Sequence, residues 1–459
     1  MTKSVSRGPD LLHGPVFSNM TRFFLPIMLG SLLQQLYSMV DAVVLGRLVG
    51  KTALAAVGGS DLVIINLVVG FFVGLSSGAC VVVSQHYGAG EGDMVRKSVH
   101  TAILFSVVIG AVMTALGILM ARPVLVLLDP PADTLADSIV YLQWYFAGMI
   151  PSMVYNMGAG ILRAVGDSKR PLYFLIVASI VNIVLDIVLV AVIPLGVAGA
   201  AIATVASQVV SAVLTVRCIH GSQGMPWHLQ LKNIRIERSV LLAICRIGLP
   251  GAAQSALYSI SNMTIQSAIN GFGTVAVAAW SVYGKIDFLF WMTVSSFGIA
   301  VTTFAGQNFG ARQYDRVRRG TMTCLAMTAG TTLCISLALY PSAQLLFRLF
   351  SSDDAVVAQG VQMMHYLVPV YMTYICIEIF SGALRGCGDV RVPTIITVFA
   401  VCIMRIVWLA VALPFKHELS VVEFSYPLTW ITATVLFAIY YAKGGWMQRC
   451  IAAQNAKTQ

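Results

Sequence analysis

Charge is what this chain has least of. Asp, Glu, Lys and Arg make up 10% of its 459 residues, against 58% hydrophobic, where soluble domains carry about 25% charged residues. That scarcity excludes an ordinary soluble domain and points to a polytopic membrane protein whose solvent is the lipid bilayer. Nine cysteines are scattered over both halves, several in apolar runs (Cys80, Cys324, Cys334, Cys376, Cys402), with no CxxC and no Cys/His cluster. They are expected as small buried apolar residues, not as a redox or metal centre. No G-x-x-x-x-G-K-[ST] loop is present, so ATP-driven pumping by the chain alone is not expected. HExxH, an Asp-rich metal motif and a nucleophile–base set are missing too, so neither an enzyme nor a cofactor is expected. The first 22 residues lack a short apolar core with a small-residue cleavage site, and the first apolar run is expected to remain as a helix.

What is present is a series of long apolar segments. They fall near 24–46, 54–83, 99–121, 139–160, 172–193 and 197–217, then near 243–270, 275–304, 321–341, 357–383, 393–414 and 424–442. The expected fold is all-α: twelve transmembrane helices in two six-helix bundles around a central cavity. Spans two, seven, eight and ten are longer than a bilayer needs, which predicts tilt or extension beyond the lipid. The expected organisation is a cytoplasmic segment 1–22, a bundle 23–219, a linker 220–240, a bundle 241–442 and a tail 443–459.

With the N-terminus inside, 22 Lys and Arg residues fall on the cytoplasmic side and 5 outside, with Lys285 and Arg405 within spans. The positive-inside rule then places both termini in the cytoplasm of a plasma-membrane protein. The basic net charge of +10 is topological, and no nucleic-acid partner is expected.

The chain repeats itself. "LPIMLGSLLQQLYS" from Leu25 is echoed by "LPGAAQSALYSISN" from Leu249, "VVVSQHYGAGEGDMVRKSV" by "VTTFAGQNFGARQYDRVRR", and "GILRAVGDSKRP" by "GALRGCGDVRVP". From Gln85/Gln307 to Pro171/Pro393 the offset stays at 222 residues. Six spans per copy put both copies on the same side at their start, so the halves are expected to be related by an axis along the membrane normal.

Polar residues stand out against this background. Span one places Gln34, Tyr37, Ser38 and Asp41 on one helix face, and span five places Asn182 and Asp186 at i and i+4. Span four adds Tyr141 and span six Thr204. A carboxylate at the middle of a spanning helix costs roughly 2.5–3.5 kcal/mol, and interhelical polar bonds of roughly 0.6 kcal/mol do not offset two of them. Two close carboxylates cannot both ionise cheaply in a low-dielectric site, so such a pair can carry a proton. Asp41, Asn182, Asp186 and Thr204 also supply hard oxygen donors of the kind that hold Na⁺. H⁺ and Na⁺ both stay open.

The second half differs. Span seven carries Gln254, Tyr258, Asn262 and Gln266 at spacing four, without an acid; span eight carries Lys285 and Asp287, span ten Tyr374 and Glu378, span eleven Arg405. These four charges form either internal ion pairs or a cavity lining that meets cationic substrate. Gln34, Tyr37, Asn262, Gln266, Asp287 and Glu378 are the candidate cavity residues. Aromatic residues such as Trp144, Trp280, Phe288 and Trp291 are expected mainly as packing, with a subset on the cavity wall.

The paired motifs, "LP" opening spans one and seven, Q-x-x-G-A after spans two and eight, and LR-x-x-GD after spans four and ten, resemble the multidrug and toxic compound extrusion (MATE) family over essentially the whole chain. Asp41 with Asn182 and Asp186 is similar to its DinF-like branch. The resemblance implies an ion-coupling site of Asp41, Asn182, Asp186, Tyr141 and Thr204, and a conformational role for Pro26 through bending of span one. It implies a monomeric antiporter that exports organic cations or lipophilic drugs in exchange for H⁺ or Na⁺. A flippase for lipid-linked or glycan-lipid cargo, of similar architecture, is the alternative, disfavoured by the acidic character of Asp41 and Asp186.

Overall fold

The structure is a computed structural model that describes residues 8–50, 53, 57, 60–127 and 134–458. Residues 1–7 of the N-terminal segment, and 54–56 and 58–59 of the expected second span, lie outside the described residues. Among the described residues there is no strand, and 11 helices are long and apolar enough to cross a bilayer.

In chain order, span one is Val16–Leu48, span two Ser60–Gly88 and span three Gly92–Leu127. Span four comes in two pieces, Leu135–Ala147 and Met149–Ala164, which brings the crossings to the expected twelve. Span five is Lys169–Asp186, running on as a π-helical turn over Ile187–Val192, and span six is Gly196–His220. Spans seven, eight and nine are Arg238–Asn270, Thr274–Gly310 and Tyr314–Phe350. Span ten runs from Asp354–Leu367 through a 3₁₀ turn, Val368–Val370, to Tyr371–Gly386. Span eleven includes a π-helical turn, Val398–Ile403, between Arg391–Thr397 and Met404–Phe415; span twelve is Leu419–Lys443, and a C-terminal helix covers Trp446–Thr458.

The break in span four falls at Gly148, with Pro151 in the first turn that follows, where a missing N–H costs no helical bond. Span ten is interrupted at Pro369. Gly148 and Val370 stand 222 residues apart, so the duplication extends to an interruption at the same place. Spans three and nine are also longer than the hydropathy indicated, with 36 and 37 residues. At 1.5 Å per residue they exceed a hydrocarbon core of about 30 Å.

The chain divides into two compact units: residues up to Asp10 with Thr21–Ala252, and Leu11–Met20 with Ala253–Gln459. Within the first unit, spans two, three and four pack on one another, and span six packs on four and five. Within the second, spans eight, nine and ten repeat the first arrangement, and span twelve packs on ten and eleven. The division lies beyond the 220–240 linker because the start of span seven packs tightly on span two. A Cβ on Gly74 would come 2.4 Å from the Ala252 backbone nitrogen, and one on Gly78 would come 2.5 Å from the Ile244 carbonyl oxygen. Two glycines one turn apart thus let backbone meet backbone.

Candidate ion-coupling site

Span one is a 33-residue helix in which Pro26 is internal and buried. Its ring removes the bond that residue 26 would donate to the Arg22 carbonyl, so the helix is weakened four turns before Asp41. Pro26 therefore does not start the helix, as a proline at a span's end would.

Asp186 is fully buried on span five, with Asn182 one turn before it at 1% exposure. The half-buried Asp41 of span one points its carboxyl at Asp186, within hydrogen-bonding reach. No donor among the described residues serves either oxygen of Asp186, Oδ1 of Asp41 or the amide of Asn182. A carboxyl–carboxyl hydrogen bond needs a proton on one partner. The cluster is thus a set of desolvated polar atoms, mostly hard oxygens, of the kind that a proton or a small hard cation can satisfy. Span five changes to π register at Ile187, directly after Asp186, a local irregularity frequent at functional sites.

The neighbours are partly those expected. Tyr37 lies within hydrogen-bonding reach of Gln34 and close to Asp41, while Gln34 itself is exposed. Tyr141 is buried in a cluster with Val197 and Ala201 of span six, and half-buried Thr204 lies one turn beyond Ala201. Neither residue supplies a hydrogen bond to Asp186 or Asn182, so the structure brings together Asp41 and Asp186, with Asn182 beside them. Two span-four phenols that sequence reasoning passed over, Tyr145 and Tyr155, stand close to Tyr37. Tyr145 stacks on Tyr141 with ring centroids 6.4 Å apart; their i, i+4 spacing was the available signal.

In the second unit the four charges named above, Lys285, Asp287, Glu378 and Arg405, do not pair with one another, and span twelve adds a buried acid, Glu423, that sequence reasoning missed. The Lys285 ammonium lies 5.5 Å from the Phe350 ring centroid, and the Arg405 guanidinium 4.5 Å from that of Tyr426. Arg405 also donates to Thr429 Oγ1 at 3.4 Å. Asp287 Oδ2 accepts a 2.6 Å hydrogen bond from Trp291 Nε1, with the Tyr283 and Tyr371 hydroxyls in reach. The Tyr374 hydroxyl lies 3.5 Å from Glu378 Oε2, and the Glu378 side chain crosses Gly298, where an added Cβ would come 2.2 Å from Oε1. Aromatic faces, indole and phenol groups meet these charges in place of one another, and Arg385, outside the four, is the cation close enough to act on Glu378. Trp291, expected mainly as packing, is the donor here, and Tyr283 and Tyr371 are the residues that sequence reasoning missed, because aromatic groups in apolar runs read as packing. On span seven, Tyr258 meets the Tyr374 hydroxyl at 3.4 Å, whereas Asn262 and Gln266 are exposed and Gln266 bonds Asn270 at 2.9 Å.

The chain is similar to known proteins over most of its length. The MatE family matches residues 26–188 and 250–411, one match in each half. The chain is 27% identical over 436 residues to the probable multidrug resistance protein YoeA of Bacillus subtilis, covering 93% of each chain. It is 26% identical over 437 residues to the probable multidrug resistance protein YpnP of the same organism, covering 95% of this chain and 97% of the relative. Among solved structures, the outward-facing conformation of a multidrug resistance MATE family transporter superposes with a TM-score of 0.90 at 21% identity, over 98% of this chain and 99% of that one. The chain belongs to the MatE family and is a multi-pass membrane transporter, not an enzyme.

Proposed function

We propose that the protein is a secondary antiporter that exports organic cations or lipophilic drugs in exchange for H⁺ or Na⁺ by alternating access. The observation that carries this reading is the contact between the Asp41 and Asp186 carboxyls. With a proton or cation between them, spans one and five are held together. With both ionised and the ion gone, their repulsion works against that contact. Span one has a weak point at Pro26 through which it can yield. The ion therefore biases one packing of span one over another, and differential affinity for the two packings couples ion to cargo. Relatives named as multidrug resistance proteins support lipophilic drugs as the cargo class, and the two acids favour cations. The 22-to-5 distribution of basic residues supports cytoplasmic termini in the plasma membrane.

The test is efflux of a fluorescent lipophilic cation from proteoliposomes under separately imposed pH and Na⁺ gradients. Faster efflux under one gradient is expected. Efflux indifferent to both overturns antiport, and translocation of a pyrophosphate-linked lipid without cation efflux supports the flippase instead.

A further inference from the structure

Spans eight and nine are joined by residues 311–313, and this turn differs from its copy in the first half. Arg312 has φ 59, the left-handed region that costs an L-residue with a side chain about 1–2 kcal/mol. The residue 222 positions earlier is Gly90, at φ 75. The duplicated turn asks for glycine, and the second half has an arginine there.

Arg312 lines a cleft of about 510 Å³ with Val16, Gln313, Tyr314, Asp315, Arg316 and Arg319. Three arginines thus share it with one carboxylate. Arg316 is held in place: its Nε and Nη2 donate to the Leu11 carbonyl at 3.4 and 3.3 Å, and its guanidinium lies 5.6 Å from the Phe304 ring centroid. Tyr314 is fixed through its hydroxyl, which donates to Gln454 Oε1 at 3.1 Å. Arg312 and Arg319 are exposed and enter no ion pair among the described residues. In the corresponding turn of span three Arg96 pairs with Asp93 at 2.5 Å, while Lys97, the copy of Arg319, enters no ion pair among the described residues; the copy of Arg312 there is uncharged. The first turn of span nine also has no side-chain cap.

We propose that this cleft binds a phosphate group, either the headgroup of an anionic phospholipid at the bilayer edge or a free phosphate or pyrophosphate. Guanidinium forks match phosphate oxygens in two-point contacts, and the uncapped turn adds backbone donors to the same wall. A ligand for Arg312 accounts for keeping an arginine in a glycine's conformation. The site is separate from the Asp41–Asp186 pair and does not depend on the transport reading.

The test is thermal unfolding of the full-length protein in phosphatidylcholine nanodiscs, with phosphatidylglycerol added in one arm and inorganic phosphate or pyrophosphate at constant ionic strength in the other. Wild type is expected to gain Tm in at least one arm, and the responding arm identifies the source of the phosphate. The R312G/R319Q double variant should lose most of that shift, by about threefold or more. R312G alone, which restores the repeat's glycine, should be at least as stable as wild type without ligand. R318Q, which removes a neighbouring charge outside the cleft, should keep the shift. No shift in either arm for wild type, an undiminished shift in R312G/R319Q, or an equal loss in R318Q overturns the proposal.

Discussion

Asp41 of span one and Asp186 of span five present their carboxyls to each other inside the first unit, and no donor among the described residues serves either oxygen of Asp186. A pair of this kind is poor structural glue and a good ion carrier: its attraction exists only while something shared lies between the two groups. An amide in place of one acid supplies a permanent donor. Asp186→Asn should therefore fold with a Tm no lower than wild type while its gradient-driven transport falls at least about tenfold. Asp186→Leu should lose both. Thermal unfolding beside proteoliposome transport separates the two outcomes.

Asp287 is the acceptor for Trp291 Nε1 at 2.6 Å. Asp287→Asn keeps an oxygen for the indole and should shift Tm little. Asp287→Leu strands the indole and the nearby phenols, and should cost on the order of 1–3 kcal/mol. Equal Tm values for the two variants would show that the bond contributes nothing.

Glu378 lies where a side chain on Gly298 would go, with an added Cβ 2.2 Å from Oε1. Gly298→Ala should destabilise by about 1–3 kcal/mol through overpacking. Glu378→Ala in the same protein should restore part of that loss, since the two changes share one space. A double-mutant cycle in thermal unfolding measures the coupling.

Gly74 has no such relief, because its neighbour is backbone. A Cβ there would meet Ala252 N at 2.4 Å and Ala252 Cα at 2.7 Å. Gly74→Ala should lower Tm more than Gly298→Ala, whereas Gly284→Ala, with nothing within 4 Å, should be neutral or stabilising by about 0.5–1 kcal/mol. Comparable Tm values for all three would contradict the close approach of spans two and seven.

Most of the fold was legible because a bilayer imposes few solutions. Apolar runs of spanning length become helices, and a repeated run of landmarks becomes a repeated packing. The Asp41–Asp186 contact was legible for the same reason, since polar stripes at helical spacing in an apolar chain have few places to go. The rest depends on contacts that hydropathy does not encode. Spans three and nine begin before their apolar runs, through polar residues such as Arg96, Lys97, Asp315 and Arg316, and run on past a proline, Pro123 and Pro341, near the expected end of each. The interruption at Gly148 rests on one glycine in an apolar run, and the packing of residues 238–252 on span two rests on Gly74 and Gly78. The sequence offers Lys285 and Arg405 as countercharges to Asp287 and Glu378, but Trp291, Tyr371 and Tyr374 meet the two acids instead, and nothing in their spacing distinguishes an indole donor from a packing residue.

The central claim is that the Asp41–Asp186 pair couples ion movement to export. It is tested most directly by reconstituting Asp41→Asn and following efflux of a fluorescent lipophilic cation under a pH gradient and, separately, a Na⁺ gradient. Efflux that proceeds down the cation's own gradient but no longer responds to either ion gradient is the predicted result. Efflux that the driving ion accelerates as strongly as in wild type would contradict it.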